Sequence, residues 1–284
     1  MIVPDISQNA VAVADHYDEL DPMYRRVWGE HVHHGLWATG RETPAEAVET
    51  LVDTVGDRLG LLPGQACVDI GCGYGATARR LAMTRGVRVT GVTLSAEQAR
   101  YAAAHPVPGV DVQVRDWLDN GLADASADAA WAIESSEHMV DKPGFFAEAH
   151  RVLAPGGRFV ICAWLAGTDA SGWKVRHLLE PICREGRLPS MGALEEYEAM
   201  AEAAGFVVTG YEDVSRRVAR TWMICARRLL KALFVDREAR QLALGARNRG
   251  AILSIPRLIL AYRTGAMHYG IFTLSKAGEH RAPR

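Results

Sequence analysis

The 284 residues are 49% hydrophobic and 23% charged, a composition that excludes a disordered chain and suits one large domain or a core with additions. The longest uncharged apolar stretches, such as Phe159 to Leu165 and Ala251 to Ile255, fall far short of the roughly 20 residues that cross a bilayer, so no integral membrane span is expected. The net charge of −2 hides an uneven spread, because between Arg216 and Thr264 eleven arginines and Lys231 face only Asp236 and Glu238.

A nucleic-acid protein is expected to be basic over a whole face and usually overall. The basic segment therefore reads as a contact for an anionic substrate group or a membrane surface, or as a solvated helix face. In chain order, Met1-Ile2-Val3-Pro4-Asp5 has neither a basic n-region nor a long apolar h-region, so a cytoplasmic chain is expected. Residues 1–60 are mostly helical by pattern, with Thr43-Pro44-Ala45-Glu46 as a helix start. Ala66 to Ile70 is a short apolar run ended by Gly71-Cys72-Gly73-Tyr74-Gly75, after which Ala76 to Thr84 has helical spacing. A second strand covers Val87 to Val92, and Ser95 with Gln98 opens a helix through a capping box. Strands follow at Val110 to Val114 and Ala129 to Ile133, then a helix at Phe145 to Leu153 and a fifth strand at Arg158 to Trp164. Repeated βα units imply an α/β fold, a parallel sheet with helices on both faces.

Beyond a turn-rich stretch at Gly167 to Gly172, a helix is expected over Ala193 to Ala204, a strand over Phe206 to Val214 and a last strand over Met267 to Lys276. Between these strands Ile224, Leu229, Leu230, Leu233, Phe234, Leu242 and Leu244 recur at helix-like spacings. The expected organisation is an N-terminal helical cap over 1–60, a core over 61–215 and 266–284, and a basic helical lid over 216–265. Five scattered cysteines without a C-x-x-C pair read as reduced, mostly structural thiols.

The run Val68-Asp69-Ile70-Gly71-Cys72-Gly73-Tyr74-Gly75 places glycines where a strand turns into a helix, so a small-molecule cofactor can approach the backbone. Gly71-x-Gly73-x-x-Ala76 also satisfies the dinucleotide fingerprint. A dinucleotide fold wants an acid about 20 residues on for the ribose hydroxyls, where this chain has Thr93. Asp69, two residues before the first glycine, suits a ligand with a cationic amino-acid end better than a pyrophosphate.

These residues resemble motif I of class I S-adenosylmethionine-dependent methyltransferases. The resemblance continues through Gly91-Val92-Thr93-Leu94-Ser95, Arg115-Asp116-Trp117 and Arg151-Val152-Leu153-Ala154-Pro155-Gly156-Gly157, covering about 60 to 165. Tyr17-Asp18, the stretch Trp28 to Trp37, Glu134-Ser135-Ser136-Glu137-His138-Met139 and, less specifically, Ala261 to Gly265 resemble the branch of tocopherol-type, sterol-type and small natural-product methyltransferases. The resemblance implies a Rossmann-like, mostly parallel seven-stranded sheet and S-adenosyl-L-methionine as cofactor. It implies that Asp69, Gly71, Cys72 and Gly73 line the methionine part, that Thr93, Leu94 and Gln98 meet the ribose, and that Asp116 with Trp117 holds the adenine. Tyr17, Trp37 and Glu134 complete the implied cofactor set. Thr93 departs from the ribose-binding acid of the wider superfamily, a departure shared with this branch.

His31, Val32, His33 and His34 lack a partner pattern for a metal, so none is expected, and a pocket-lining role suits them better. Trp164, Trp173, Tyr197 and Trp222 read first as core, although as a set they could wall an apolar pocket. Ligands of an open α/β sheet bind outside the carboxyl ends of the strands, which puts Glu134, Glu137 and His138 beside the transferred methyl. His138 is the candidate base, and the two glutamates support cofactor or charge. Relatives that modify sugars pair this histidine with an aspartate after the fifth strand, where this chain has Cys162-Ala163-Trp164. That favours C-methylation of a terpenoid or prenylated aromatic. O- or N-methylation of a small metabolite, or a non-methylating cyclisation on the same fold, stays open, whereas Thr93 argues against a nicotinamide oxidoreductase. The expected partner is a small apolar substrate, with an anionic group left open, as is assembly into a homo-oligomer.

Overall fold

The computed structural model describes residues 1–5, 8–237 and 250–278, with the side chains of 250–253 set aside. Helix α1 (Ala10–Val27) and α2 (Pro44–Leu59) precede β1 (Ala66–Ile70), α3 (Ala76–Arg85), β2 (Arg88–Thr93), α4 (Ala96–Ala104), β3 (Val110–Val114) and β4 (Ala127–Ile133). Then come α5 (Lys142–Val152), β5 (Leu153–Ala166), a helical run over residues 172–185 (α6), α7 (Leu194–Ala203), β6 (Phe206–Asp213), α8 (Arg220–Val235), α9 (Gly250–Arg263) and β7 (Met267–Lys276). The seven strands run in the order β3-β2-β1-β4-β5-β7-β6. Only the β7 pairings, to β5 and β6, are antiparallel. This is the Rossmann-like sheet expected of the sequence.

The strands are apolar on both faces because both faces are covered. Along β4, Ala129, Trp131 and Ile133 point into a core shared with Leu51, Val55 and Leu59 of α2 and Leu81 of α3. Ala130 and Ala132 point to the other core, which Phe145, Phe146 and Ala149 of α5 and Tyr197 of α7 complete. The helix starts follow their caps. Thr43 and Glu46 form the reciprocal capping box of α2, and the Asp141 side chain accepts the Gly144 N–H at 2.9 Å to open α5.

A third, smaller core ties the additions together. Val27 of α1, Leu178, Leu179 and Ile182 of α6, Trp222 and Leu229 of α8 and Leu258 and Ala261 of α9 pack on one another. Beyond the turn expected at Gly167 to Gly172, the sequence pattern assigns no element before Ala193, whereas residues 172–185 are helical, with a π-helical segment Val175–Leu179. Pro181 and the preceding Gly167 and Gly172 masked the Leu178, Leu179, Ile182, Cys183 periodicity. The proline is tolerated because it stands in the first turn of the segment Glu180–Glu185. Leu242 and Leu244 of the expected insertion, and 279–284 of the core range, lie outside the described residues. All five cysteines are free and buried. Among the described residues no helix is long and apolar enough to cross a membrane.

Candidate active site

Two cavities meet at the carboxyl ends of β1, β2 and β4. The first is bounded by the glycine turn, the end of β2, the Asp116–Trp117 corner and α1, and is lined by Gly71, Gly73, Thr93, Leu94, Gln98, Asp116, Trp117 and Tyr17. The fold thus brings together most of the expected cofactor residues. Gly71 and Gly73 have φ of +74° and +54°, the left-handed region that favours glycine. Their surroundings differ. A Cβ at Gly71 would stand 2.3 Å from Ser135 Cβ, while one at Gly73 would meet only Gln98 Nε2 at 3.9 Å. Gly71 is therefore held by protein packing, and Gly73 leaves the open space.

Asp69 lies under that turn with Cys72 in an adjoining recess. Its carboxyl is buried, and Oδ2 has no hydrogen-bond partner. Burial pushes its pKa up to about 7. The Trp131 indole and the Ala78 N–H oppose that shift, and a buried acid with one oxygen unpaired beside a glycine cradle fits the ammonium of an amino-acid-bearing ligand. Thr93 Oγ1 donates to Gln98 Oε1 at 2.8 Å, and the Asp116 side chain accepts the Leu118 N–H. Trp117 is 2% exposed and spends its indole N–H on Phe145 O, so it offers a face rather than a donor.

Trp37 lies elsewhere. Its indole N–H donates to Glu42 O at 2.9 Å, and it lines a separate recess with Thr221 and Arg228. The expected cofactor role of Trp37 is corrected on this geometry: a buried indole bonded to its own loop cannot also reach the first cavity.

Glu134, at φ +54°, ends β4 in a left-handed turn. Its carboxylate accepts the His34 N–H at 2.6 Å, the His34 Nδ1–H at 2.9 Å, the Tyr269 hydroxyl at 2.8 Å and the Trp164 indole N–H at 3.0 Å. Burial pushes its pKa up, but the His34 ring and N–H outweigh burial and leave it below the usual carboxylate range. So partnered, the carboxylate is a poor proton acceptor, and Glu134 ties these elements together where it lines both cavities. His34, expected to line a pocket, here holds Glu134, and Tyr269 is a partner that the sequence pattern does not reveal. Only the tertiary fold brings positions 34, 134 and 269 together.

Glu137 is 2% exposed. Its Oε1 accepts the Trp164 N–H at 2.5 Å and Oε2 the Ser136 hydroxyl at 3.1 Å. Burial raises its pKa to about 7, opposed by that N–H and reinforced by the Glu134 charge. Next to it, His138 Nε2 lies 2.9 Å from the Tyr17 hydroxyl, and the Arg187 backbone faces the same buried ring. Burial lowers the imidazole pKa to about 4, so His138 is neutral near pH 7.

The second cavity opens on the other side of Tyr17 and His138. Leu20, Tyr24 and Trp28 come from the N-terminal cap, Trp164 from β5, Ile182 and Leu188 from α6 and its exit, and Trp222, Leu229 and Leu258 from the insertion. Tyr17, Val32, Glu134 and His138 line both cavities. Of the aromatics, Trp164 and Trp222 line this space. Tyr197 is core, bonded to Ser136 at 3.0 Å, and Trp173 is 55% exposed. His31 and His33 form a pair 3.0 Å apart, and among the described residues no cluster of three metal-ligand side chains exists.

The family description of mycolic acid cyclopropane synthetases matches residues 5–240. Tocopherol O-methyltransferase of Arabidopsis thaliana is 30% identical over 93% of this chain and 81% of its own. The 27-O-demethylrifamycin SV methyltransferase of Amycolatopsis mediterranei is 33% identical over 75% and 79% of the two chains. Among solved structures, the [4+2]-cyclase SpnF superposes with a TM-score of 0.81 at 26% identity, over 98% of this chain and 100% of the other. The glycine cradle, the buried Asp69 and the matched family give one cofactor, S-adenosylmethionine. The chain belongs to the mycolic acid cyclopropane synthetase family of class I S-adenosylmethionine-dependent methyltransferases.

Proposed function

We propose that this enzyme methylates a hydroxyl oxygen on a small, uncharged, largely apolar molecule held in the second cavity. One observation carries the reading: His138, neutral near pH 7, stands in the wall shared by the two cavities. S-adenosylmethionine supplies, when bound, a methyl group already activated on a sulfonium, so the protein's part is alignment, exclusion of water and the handling of one proton. Asp69 and the Gly71–Gly73 turn hold the methionine end, Thr93 and Gln98 the ribose region, and Asp116 with Trp117 the adenine. His138 would take the proton of the acceptor hydroxyl as the methyl group is transferred to its oxygen. Tyr17, bonded to His138, orients the ring.

Among the described residues lining the second cavity there is no lysine or arginine. Arginines of the insertion are engaged elsewhere: Arg217 with Glu212, Arg220 over the Trp37 ring, Arg228 on Val27 O and Arg257 with Glu185. This supports an uncharged acceptor over a diphosphate, which would face Glu134 and Glu137. A second reading, C-methylation of a terpenoid or prenylated aromatic, is favoured by Trp28, Trp164 and Trp222, whose faces would stabilise a developing cation. A labelled-methyl assay on a prenylated phenol tests both, since the position of the label separates them and its absence with cyclised product points to the cyclase alternative. For His138→Ala, S-adenosylhomocysteine affinity should stay within a few fold while O-methylation falls roughly 100-fold. Turnover unchanged across the pH range would refute the base role.

A further inference from the structure

Lys142 is 2% exposed, and it stands in the first helical position of α5, directly after the cap Asp141. That is an unfavourable place for a cation. Burial costs it solvation, and the positive end of the helix dipole repels it. What it touches accounts for it. Nζ donates to Glu137 O at 3.2 Å and to Met139 O at 3.3 Å, the carbonyls immediately before and after His138. The same short turn is tied on its other side by Glu137 to the Trp164 N–H and by Ser136 to Tyr197.

We propose that Lys142 is the positioning residue of His138: it clamps the backbone on both sides of the imidazole and sets a buried cation beside the ring. Only a donor with several N–H groups can bridge two carbonyls flanking one residue, and lysine offers three. Its charge acts in the same direction as burial on His138. The other groups facing the ring are His16 and Tyr17 from α1, Glu134 and Glu137 from its own loop, and the Arg187 backbone. Burial brings the lysine itself down to about 8, with Glu137 holding it up, so it is largely charged at neutral pH.

The inference rests on reading His138 as the base, but its test needs no methyl acceptor and so can fail while that reading stands. In uniformly isotope-labelled full-length protein, the His138 ring is titrated by NMR, and exchange of the His138 amide, which donates to Ser135 O at 3.1 Å, is followed in parallel. Wild-type His138 should titrate near pH 4. In Lys142→Met the midpoint should rise by about one unit, because a nearby cation is gone and the turn loosens. The His138 amide should exchange at least roughly tenfold faster while the β5 amides keep their rates. Affinity for S-adenosylhomocysteine should stay within about threefold. Lys142→Gln, which is uncharged but can still donate to both carbonyls, carries the titration should the methionine variant not fold. A midpoint equal to wild type in either folded variant, or an amide exchange rate equal to wild type in Lys142→Met, overturns the proposal.

Discussion

Asp69 makes the first prediction because its buried carboxyl is divided between two states near neutrality. Burial raises its pKa to about 7, so the protein without cofactor holds a proton there below that pH. The ionised form is the one that pairs with an ammonium group. Affinity for S-adenosylhomocysteine should therefore rise with pH up to about 7, by at most tenfold per unit, and level off above it. Calorimetry in buffers of different ionisation enthalpy should show a proton released on binding below pH 7. Asp69→Asn should lower affinity by about 10- to 100-fold, the scale of a hydrogen bond to a charged group, and abolish the pH dependence. Gly73→Val should block the same ligand for a different reason. The site is open there and its φ is positive, so the added side chain occupies cradle space and strains the turn; binding should vanish while the circular dichroism spectrum stays native.

At the level of elements, Glu134 is the rivet. One side chain at the end of β4 ties β5 through Trp164, β7 through Tyr269 and the segment after α1 through His34. Glu134→Ala leaves those buried donors unpaired and should destabilise the fold by about 3 kcal/mol or more, read from denaturant unfolding. Because its folded pKa is depressed, the stabilisation is present above the ordinary glutamate value and is lost as pH falls through the folded one. The stability difference between wild type and Glu134→Gln should therefore shrink on acidification below about pH 4.3. Helix α1 covers both cavities with Tyr17 and is pinned to α4 by Asp18, which accepts from the Ser95 hydroxyl. Asp18→Ala should speed S-adenosylhomocysteine release, measured by stopped flow, with little effect on global stability.

Across the whole molecule, the basic segment caps an apolar cavity without, among the described residues, lending it a cation. Substituting Arg217, Arg220, Arg228 or Arg257 singly by alanine should leave turnover on a neutral prenylated phenol within about twofold, since exposed pairs contribute little. A prenyl diphosphate should be methylated poorly by the wild type. Efficient methylation of the diphosphate, lost on replacing one arginine, would show that the acceptor is anionic.

How much was legible follows from the range of each interaction. The strand–glycine–helix sequence around Asp69 and the caps Thr43, Ser95 and Asp141 act over a few residues, so the sequence by itself determined the α/β architecture and the cofactor. Glu134 and His138 were visible as a polar run after a buried strand. Their division of labour was not, because it depends on His34, Tyr269, Trp164 and Tyr17, partners up to 135 residues away in the chain. The same limit hid the helical run at 172–185, the displacement of Trp37 and the burial of Lys142. Local pattern set where each element begins; only packing decided which polar atoms found partners and which, like Asp69 Oδ2, were buried without one.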